Sequence, residues 1–130
     1  MIYSISTAGV AKRGNKYFIA KRKPGNSIGE LWEFPGGKAE KEEKPEDALK
    51  REFFEEFNAD IEVDKELCSG LFTNNGRIYR LVAYRINILS DKLELHEHSE
   101  TGWVEKEELS DLKFPKSDMI IVNYLLNKGY

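Results

Sequence analysis

Cysteine is nearly absent: Cys68 stands alone among 130 residues, so no internal disulfide can form, and a reducing compartment, the cytoplasm, is the expected setting. Long apolar runs are missing as well. None approaches the ~18 residues of a membrane span, and the opening "MIYSIS" has no basic segment followed by an apolar one, which argues against a secretory leader. Charge of one sign is scarce, since 20 Lys and Arg against 23 Asp and Glu leave a formal net charge of −3. That balance carries no electrostatic footprint for long nucleic acid or an anionic membrane. Internal repeats and low-complexity linkers are also missing.

The chain has the means to fold. Hydrophobic residues make up 40% of it, with seven Phe, six Tyr and two Trp, enough for one domain over residues 1–130 with a sizeable core. Ile2 to Ala11 alternates as a strand, Gly14-Asn15 marks a turn, and Lys16 to Arg22 reads as the hairpin partner. Lys23 to Glu30 is a breaker-rich loop, and "LWEF" is a short strand stopped by Pro35-Gly36-Gly37. Pro45 to Phe57 has a helical pattern, with Pro45 suited to the first turn and Glu46 and Asp47 at the positive end of the dipole. Asp60 to Asn74 and Arg77 to Leu89 read as long strands joined by the tight turn Asn75-Gly76. A short strand near Trp103, a helical turn from Glu105 and a closing helix within Phe114 to Gly129 complete the chain. Interleaved strands and helices together with hairpins predict an α/β fold, a mixed sheet covered by helices on both faces.

The helix from Pro45 has an electrostatic problem. At 100° per residue, Leu49, Phe53 and Phe57 form a core-facing stripe, and Glu52, Glu55 and Glu56 crowd an arc of about 100° beside it. Glu52 and Glu56 are a like-charged i,i+4 pair, repelling by a few tenths of a kcal/mol in water and by more next to an apolar stripe. A solvated acidic face balanced by Lys44, Lys50 and Arg51 is the plain reading. Clustered carboxylates on a half-buried edge are also what a hard divalent cation requires of its oxygen ligands.

The flanking residues decide between the two. Gly37 is followed after five residues by Glu43, and after seven more by Arg51-Glu52-Phe53-Phe54-Glu55-Glu56-Phe57-Asn58-Ala59. This spacing resembles the Nudix box, G-x5-E-x7-R-E-U-x-E-E-x-G-U, where U is a bulky apolar residue. Gly37, Glu43, Arg51, Glu52, Glu55 and Glu56 occupy every fixed polar position. Phe53, Asn58 and Ala59 depart from it, and Asn58 is the residue best able to replace a glycine with positive φ at a helix end. "LWEFPGGK", "HEHSETGWV" and "FPKSD" are similar to segments of the MutT-type branch, the nucleoside triphosphate pyrophosphohydrolases.

The resemblance implies an α/β/α sandwich and a Mg²⁺- or Mn²⁺-dependent hydrolase. It would cleave a (deoxy)nucleoside triphosphate, normal or oxidised, to the monophosphate and pyrophosphate. Glu52 and Glu56 would be the main metal ligands, Glu55 a third through a second ion or water, and a backbone carbonyl of Gly36 or Gly37 would complete the shell. A further acid is implied in the loop before Trp103, Glu97 first and Glu100 second. Glu52 or Glu97 would act as general base, and the sequence does not choose between them. Glu43 and Arg51 would pair with each other or orient Glu52, and Lys38 would meet a phosphate oxygen or the attacking water.

For the base pocket, Arg22, Glu33, Phe114 and Asp118 are the candidates. Each has an ordinary reading beside it: Arg22 an exposed strand-end cation, Glu33 a solvated acid, Phe114 a core aromatic, Asp118 a first-turn acid. His96 and His98 read as exposed loop histidines, and Trp103 as a core residue. The implied partner is a small-molecule nucleotide, bound by a monomer or homodimer, with no long nucleic acid or membrane. Two alternatives stay open: a Nudix enzyme for another nucleoside diphosphate-X, such as a nucleotide sugar or dinucleotide, and a nucleotide sensor that does not cleave.

Overall fold

Local turn chemistry builds the longest hairpin in the computed structural model, which describes residues 3–23, 31–128 and 130. Asn75 (φ 50) and Gly76 (φ 77) both take the left-handed backbone that a two-residue hairpin loop requires. They join β4 (Ile61–Asn74) to β5 (Arg77–Ile88) in antiparallel register from Asn74↔Arg77 to Ile61↔Ile88. A second hairpin joins β1 (Ser4–Arg13) to β2 (Lys16–Arg22). The remaining elements are β3 (Trp32–Glu33), α1 (Pro45–Phe57), β6 (His98–Glu105), α2 (Lys106–Leu109) and α3 (Lys116–Lys128).

The sheet runs β3-β2-β1-β5-β4, with β6 on the other edge of β2. β1 lies parallel to β5 from Ser4↔Tyr79 to Ala11↔Ile86, and the other pairings are antiparallel, so the sheet is mixed as expected. Alternation along the strands splits the interior into two cores. Ala8, Val10, Tyr17, Ile19, Leu81 and Ala83 face α3, which contributes Ile121, Val122 and Leu125. Ala11, Phe18, Ala20, Val82, Tyr84 and Ile86 face α1, which contributes Leu49, Phe53 and Phe57. Helices therefore cover both faces of the sheet.

The expected strand near Trp103 is longer than the sequence suggested. β6 spans eight residues and pairs with β2 from Lys16↔Glu105 to Arg22↔His98. Its polar composition disguised it, because an edge strand exposes one side and tolerates charge there. Trp103 is half-buried, 5.3 Å from the Phe18 ring, with the Arg13 guanidinium 4.6 Å above its face. The first strand begins at Ser4; Met1, Ile2, Gly129 and all of the expected loop after Lys23, Pro24 to Glu30, lie outside the described residues. Among the described residues, no helix is long and apolar enough to cross a membrane.

One contact prepares the site. The segment after β3 lies along β1: Gly9 N–H donates to the Pro35 carbonyl (2.8 Å), Thr7 N–H to the Gly37 carbonyl (2.7 Å), and Ala39 N–H to the Ile5 carbonyl (3.0 Å). The Gly36-Gly37 backbone is thereby fixed between β1 and α1.

Candidate active site

α1 begins and ends as its sequence dictates. Pro45 occupies the first turn, and Asn58 closes the helix in the left-handed conformation (φ 52, ψ 40), its N–H reaching the Phe53 and Phe54 carbonyls. The apolar stripe fixes the helix rotation, and that rotation sorts the three carboxylates by depth. Glu56 is 5% exposed, the Glu52 side chain 18% and the Glu55 side chain 53%.

Arg51 organises the outer side. Its Nε and Nη2 grip Glu43 at 2.9 and 3.0 Å, a bidentate pair, and Nη1 reaches Glu52 and Glu55 at 3.2 Å each. Nη2 also donates to the Lys38 carbonyl at 3.0 Å. Hydrogen bonds from Arg51 and from the Glu40 N–H hold the Glu43 carboxyl down at about 2. Arg51 thus pairs with Glu43 and also orients Glu52.

Two glycines shape the floor. A Cβ on Gly36 would overlap the Thr7 backbone carbonyl, and a Cβ on Gly37 would overlap the Glu52 carboxyl. The Gly37 carbonyl accepts from both the Thr7 N–H (2.7 Å) and the Thr7 hydroxyl (2.8 Å), so both its lone pairs are occupied. Of the two glycine carbonyls expected as alternatives for the metal, that of Gly37 is thus engaged by Thr7 and that of Gly36 stays the candidate; Gly37 contributes the space that Glu52 fills.

These groups open on a pocket of about 420 Å³ whose lining includes Gly36, Glu52, Glu56, Glu97, Glu33 and Arg22. Glu55 lies outside that lining, and Glu100 pairs with Lys21 at 3.7 Å instead of facing the pocket. His98, expected in an exposed loop, and Lys23, which the sequence did not single out, also line it. His98 is 4% exposed, not a loop histidine in solvent; it stacks on Phe57 with ring centroids 5.1 Å apart and planes 12° apart. Its Nε2 lies 2.7 Å from Glu33 and 3.9 Å from Glu56. Burial raises the Glu33 pKa, but the His98 hydrogen bond and the charge and hydrogen bond of Arg22, at 2.7 Å, outweigh it and leave the net value lowered.

Glu56 is the opposite case. Burial, then a hydrogen bond to Glu52, then the charges of Glu33, Glu52 and Glu97 raise its pKa far above the carboxylate range. Its Oε1 is buried without a hydrogen-bond partner. A buried carboxylate oxygen with no donor, in a pocket shared with Glu33, Glu52 and Glu97, is a group that a cation would satisfy. Among the described residues, Glu33, Glu56 and His98 bring one ligand atom each within 4.8 Å of one another, and the carboxylate oxygens gathered there suit a hard divalent cation.

The base-pocket candidates divide. Arg22 and Glu33 join each other at the pocket. Asp118, 6% exposed in the first turn of α3, accepts from the Phe34 N–H at 3.3 Å, and Phe114 stacks on Phe34 at 5.6 Å. Neither lines the acidic pocket. Lys38 turns away from it too, its Nζ 4.8 Å over the Tyr79 ring, in a neighbouring cavity of about 380 Å³ that shares Arg22.

Burial, and next the Glu33 charge, raise Asp118 to about 8. A raised folded-state pKa means stability that is fully present below the unfolded value near 4 and lost as pH rises through about 8. Asp118→Asn keeps an oxygen for Phe34 and removes the titration. Its expected effect is a gain on the order of 2 kcal/mol at pH 8, shrinking toward zero near pH 4. Thermal melts across that range check it.

Comparison with known proteins follows the same lines. The NUDIX domain family matches residues 7–124. The chain is similar to the CTP pyrophosphohydrolase of Escherichia coli strain K12, 33% identical over 108 residues that cover 83% of this chain and 78% of that protein. It is also similar to the 8-oxo-dGTP diphosphatase of Haemophilus influenzae, 28% identical over 130 residues covering 99% and 95%. The solution structure of the E. coli ORF135 protein superposes with a TM-score of 0.86 at 28% identity, over 97% of this chain and 90% of that one.

Proposed function

From the premise that this chain belongs to the NUDIX domain family and hydrolyses phosphoric anhydride bonds, we propose that it cleaves a (deoxy)nucleoside triphosphate to the monophosphate and pyrophosphate with Mg²⁺ as cofactor. The observation that carries this reading is the buried, unpartnered Glu56 oxygen beside Glu52 and Glu97. The related enzymes named for CTP and 8-oxo-dGTP hydrolysis support a nucleoside triphosphate over a nucleotide sugar or dinucleotide. A non-cleaving sensor is disfavoured because every carboxylate of the box is present.

Glu52, Glu56 and the Gly36 carbonyl would hold the cation, with Glu97 across the pocket and Glu55 reaching it only through water or a second ion. Bound there, a divalent cation neutralises phosphate charge and acidifies water. The chain's own residues do the rest. Glu52 or Glu97 takes the proton of the attacking water as its oxygen bonds to phosphorus; the anhydride P–O bond breaks and pyrophosphate leaves. Arg51 holds Glu52 in place through its grip on Glu43. Arg22 and Glu33 line the same pocket and would face the nucleotide, Lys38 lines the neighbouring cavity that shares Arg22, and Asp118 holds the Phe34 backbone and would act on base choice through it.

Incubation with a panel of normal and oxidised nucleoside triphosphates, nucleotide sugars and dinucleotides, with and without Mg²⁺, tests the reading. Pyrophosphate release from a triphosphate, abolished by EDTA, is the expected result. Turnover of a sugar or dinucleotide alone, or binding without turnover, would overturn it. Within that panel, Asp118→Ala is expected to change the ranking of bases more than overall hydrolysis, and an unchanged order would remove Asp118 from base recognition.

A further inference from the structure

The C-terminal end of α1 carries the wrong charge. Glu55 and Glu56 stand in its last turn with no basic residue, where the helix dipole is negative. Its terminal carbonyls nevertheless all find donors. Ala59 N–H serves the Phe53 carbonyl (3.5 Å) and Asn58 N–H the Phe54 carbonyl (2.9 Å). The other three come from a distant strap. His96 Nδ1 lies 2.7 Å from the Glu55 carbonyl, His96 N–H donates to the Glu56 carbonyl (3.1 Å), and Glu94 N–H to the Phe57 carbonyl (2.9 Å).

Side chains close the arrangement. His96 Nε2 meets Glu94 Oε1 at 3.0 Å, and Glu94 Oε2 accepts from Asn58 Nδ2 at 2.8 Å. Asn58 is the residue that stands where the Nudix box has its last glycine. Its left-handed backbone does the glycine's work, and its amide does what no glycine can. The residue after His96 is Glu97, which lines the same pocket as Glu52 and Glu56.

We propose that Asn58, Glu94 and His96 form a latch that fastens the 94–97 strap to the end of α1 and so sets Glu97 over the Glu52–Glu56 pair. They are positioning residues for the hydrolysis, and their role rests on the reading of Glu97 given above. The physical basis is that α1 carries Glu52 and Glu56 and the strap carries Glu97, three of the pocket's four carboxylates, so their spacing depends on how the strap is tied to the helix. A displacement on the order of 1 Å at such a site lowers turnover by up to about a hundredfold.

Asn58→Gly is the cleanest test, because glycine accepts φ near 50 and only the amide is lost. Glu94→Ala removes the same link from the other side while leaving the capping N–H in place. Two readouts are taken on each full-length variant. Amide hydrogen exchange in metal-free protein is expected to accelerate at residues 94–97 and stay unchanged at Leu49–Phe53. Steady-state kinetics with the best nucleoside triphosphate are expected to show kcat lower by about tenfold with KM nearly constant. Unchanged exchange in the strap, unchanged kcat, or a rise in KM with kcat intact would each overturn the latch. If the wild-type protein hydrolyses no nucleotide, the functional reading fails, and the exchange data alone still judge whether the strap is tied to the helix.

Discussion

Glu56→Gln is expected to reduce turnover by about three orders of magnitude while raising the melting temperature of the metal-free protein. The two effects have one cause. A buried carboxyl with an unpartnered oxygen, next to Glu52, either holds a proton or needs positive charge beside it. Glutamine mimics the protonated acid and keeps the shape, so the apo protein no longer has to take up a proton to fold, and the loaded site loses a ligand. Three orders of magnitude corresponds to about 4 kcal/mol, within the several kcal/mol of charge stabilisation that a catalytic metal supplies. The pH dependence follows. Because the Glu56 pKa is raised in the fold, the apo protein is most stable below the ordinary carboxylate range and weakens as pH rises; Glu56→Gln flattens that slope. Kinetics with Mg²⁺ and melts in EDTA at several pH values check both halves. Near-wild-type activity in the variant would remove Glu56 from the ligand set.

Gly37→Ala has the second largest expected effect, and its neighbour makes the contrast. The backbone at both glycines lies outside the left-handed region, so alanine is admissible at each on conformational grounds. What differs is the obstacle. At Gly37 the added methyl meets the end of the Glu52 side chain, which can swing away. Folding then survives and the carboxylate is misplaced, for an expected loss of about a hundredfold in kcat. At Gly36 the methyl meets the Thr7 carbonyl in a backbone already hydrogen-bonded to this segment, which cannot yield. Gly36→Ala is therefore expected to cost about 3 kcal/mol of stability, seen as a lower denaturant midpoint. Circular dichroism and kinetics on the pair separate the two behaviours, and equal destabilisation of both would contradict the assignment of Gly37 to Glu52.

Much of this site was legible because it is local. Glu52, Glu55 and Glu56 are placed by helical periodicity relative to Leu49, Phe53 and Phe57, and the structure sorts them along that arc. Pro45 and Asn58 marked the helix ends for reasons of backbone chemistry alone. The mixed sheet followed from two tight turns and alternating strands. What escaped the sequence is what depends on partners far along the chain. His98 looks like a polar loop residue until β6 pairs with β2 and brings it 2.7 Å from Glu33, 65 residues away. His96 reaches a carbonyl 41 residues distant. The Gly37 carbonyl is taken by Thr7, 30 residues upstream, and no spacing rule within the box reports on that bond. Lys38 turns onto Tyr79, a partner from β5 that periodicity around the box does not supply.

Anomalous diffraction from a crystal soaked in Mn²⁺ together with a non-hydrolysable nucleoside triphosphate shows whether a cation sits between the two α1 carboxylates and the phosphates. A metal peak is expected within coordination distance of the Glu52 and Glu56 carboxylates and the Gly36 carbonyl, with the phosphates on its open side. Glu52 and Glu56 turned apart, with no peak between them and the nucleotide bound elsewhere, would contradict it.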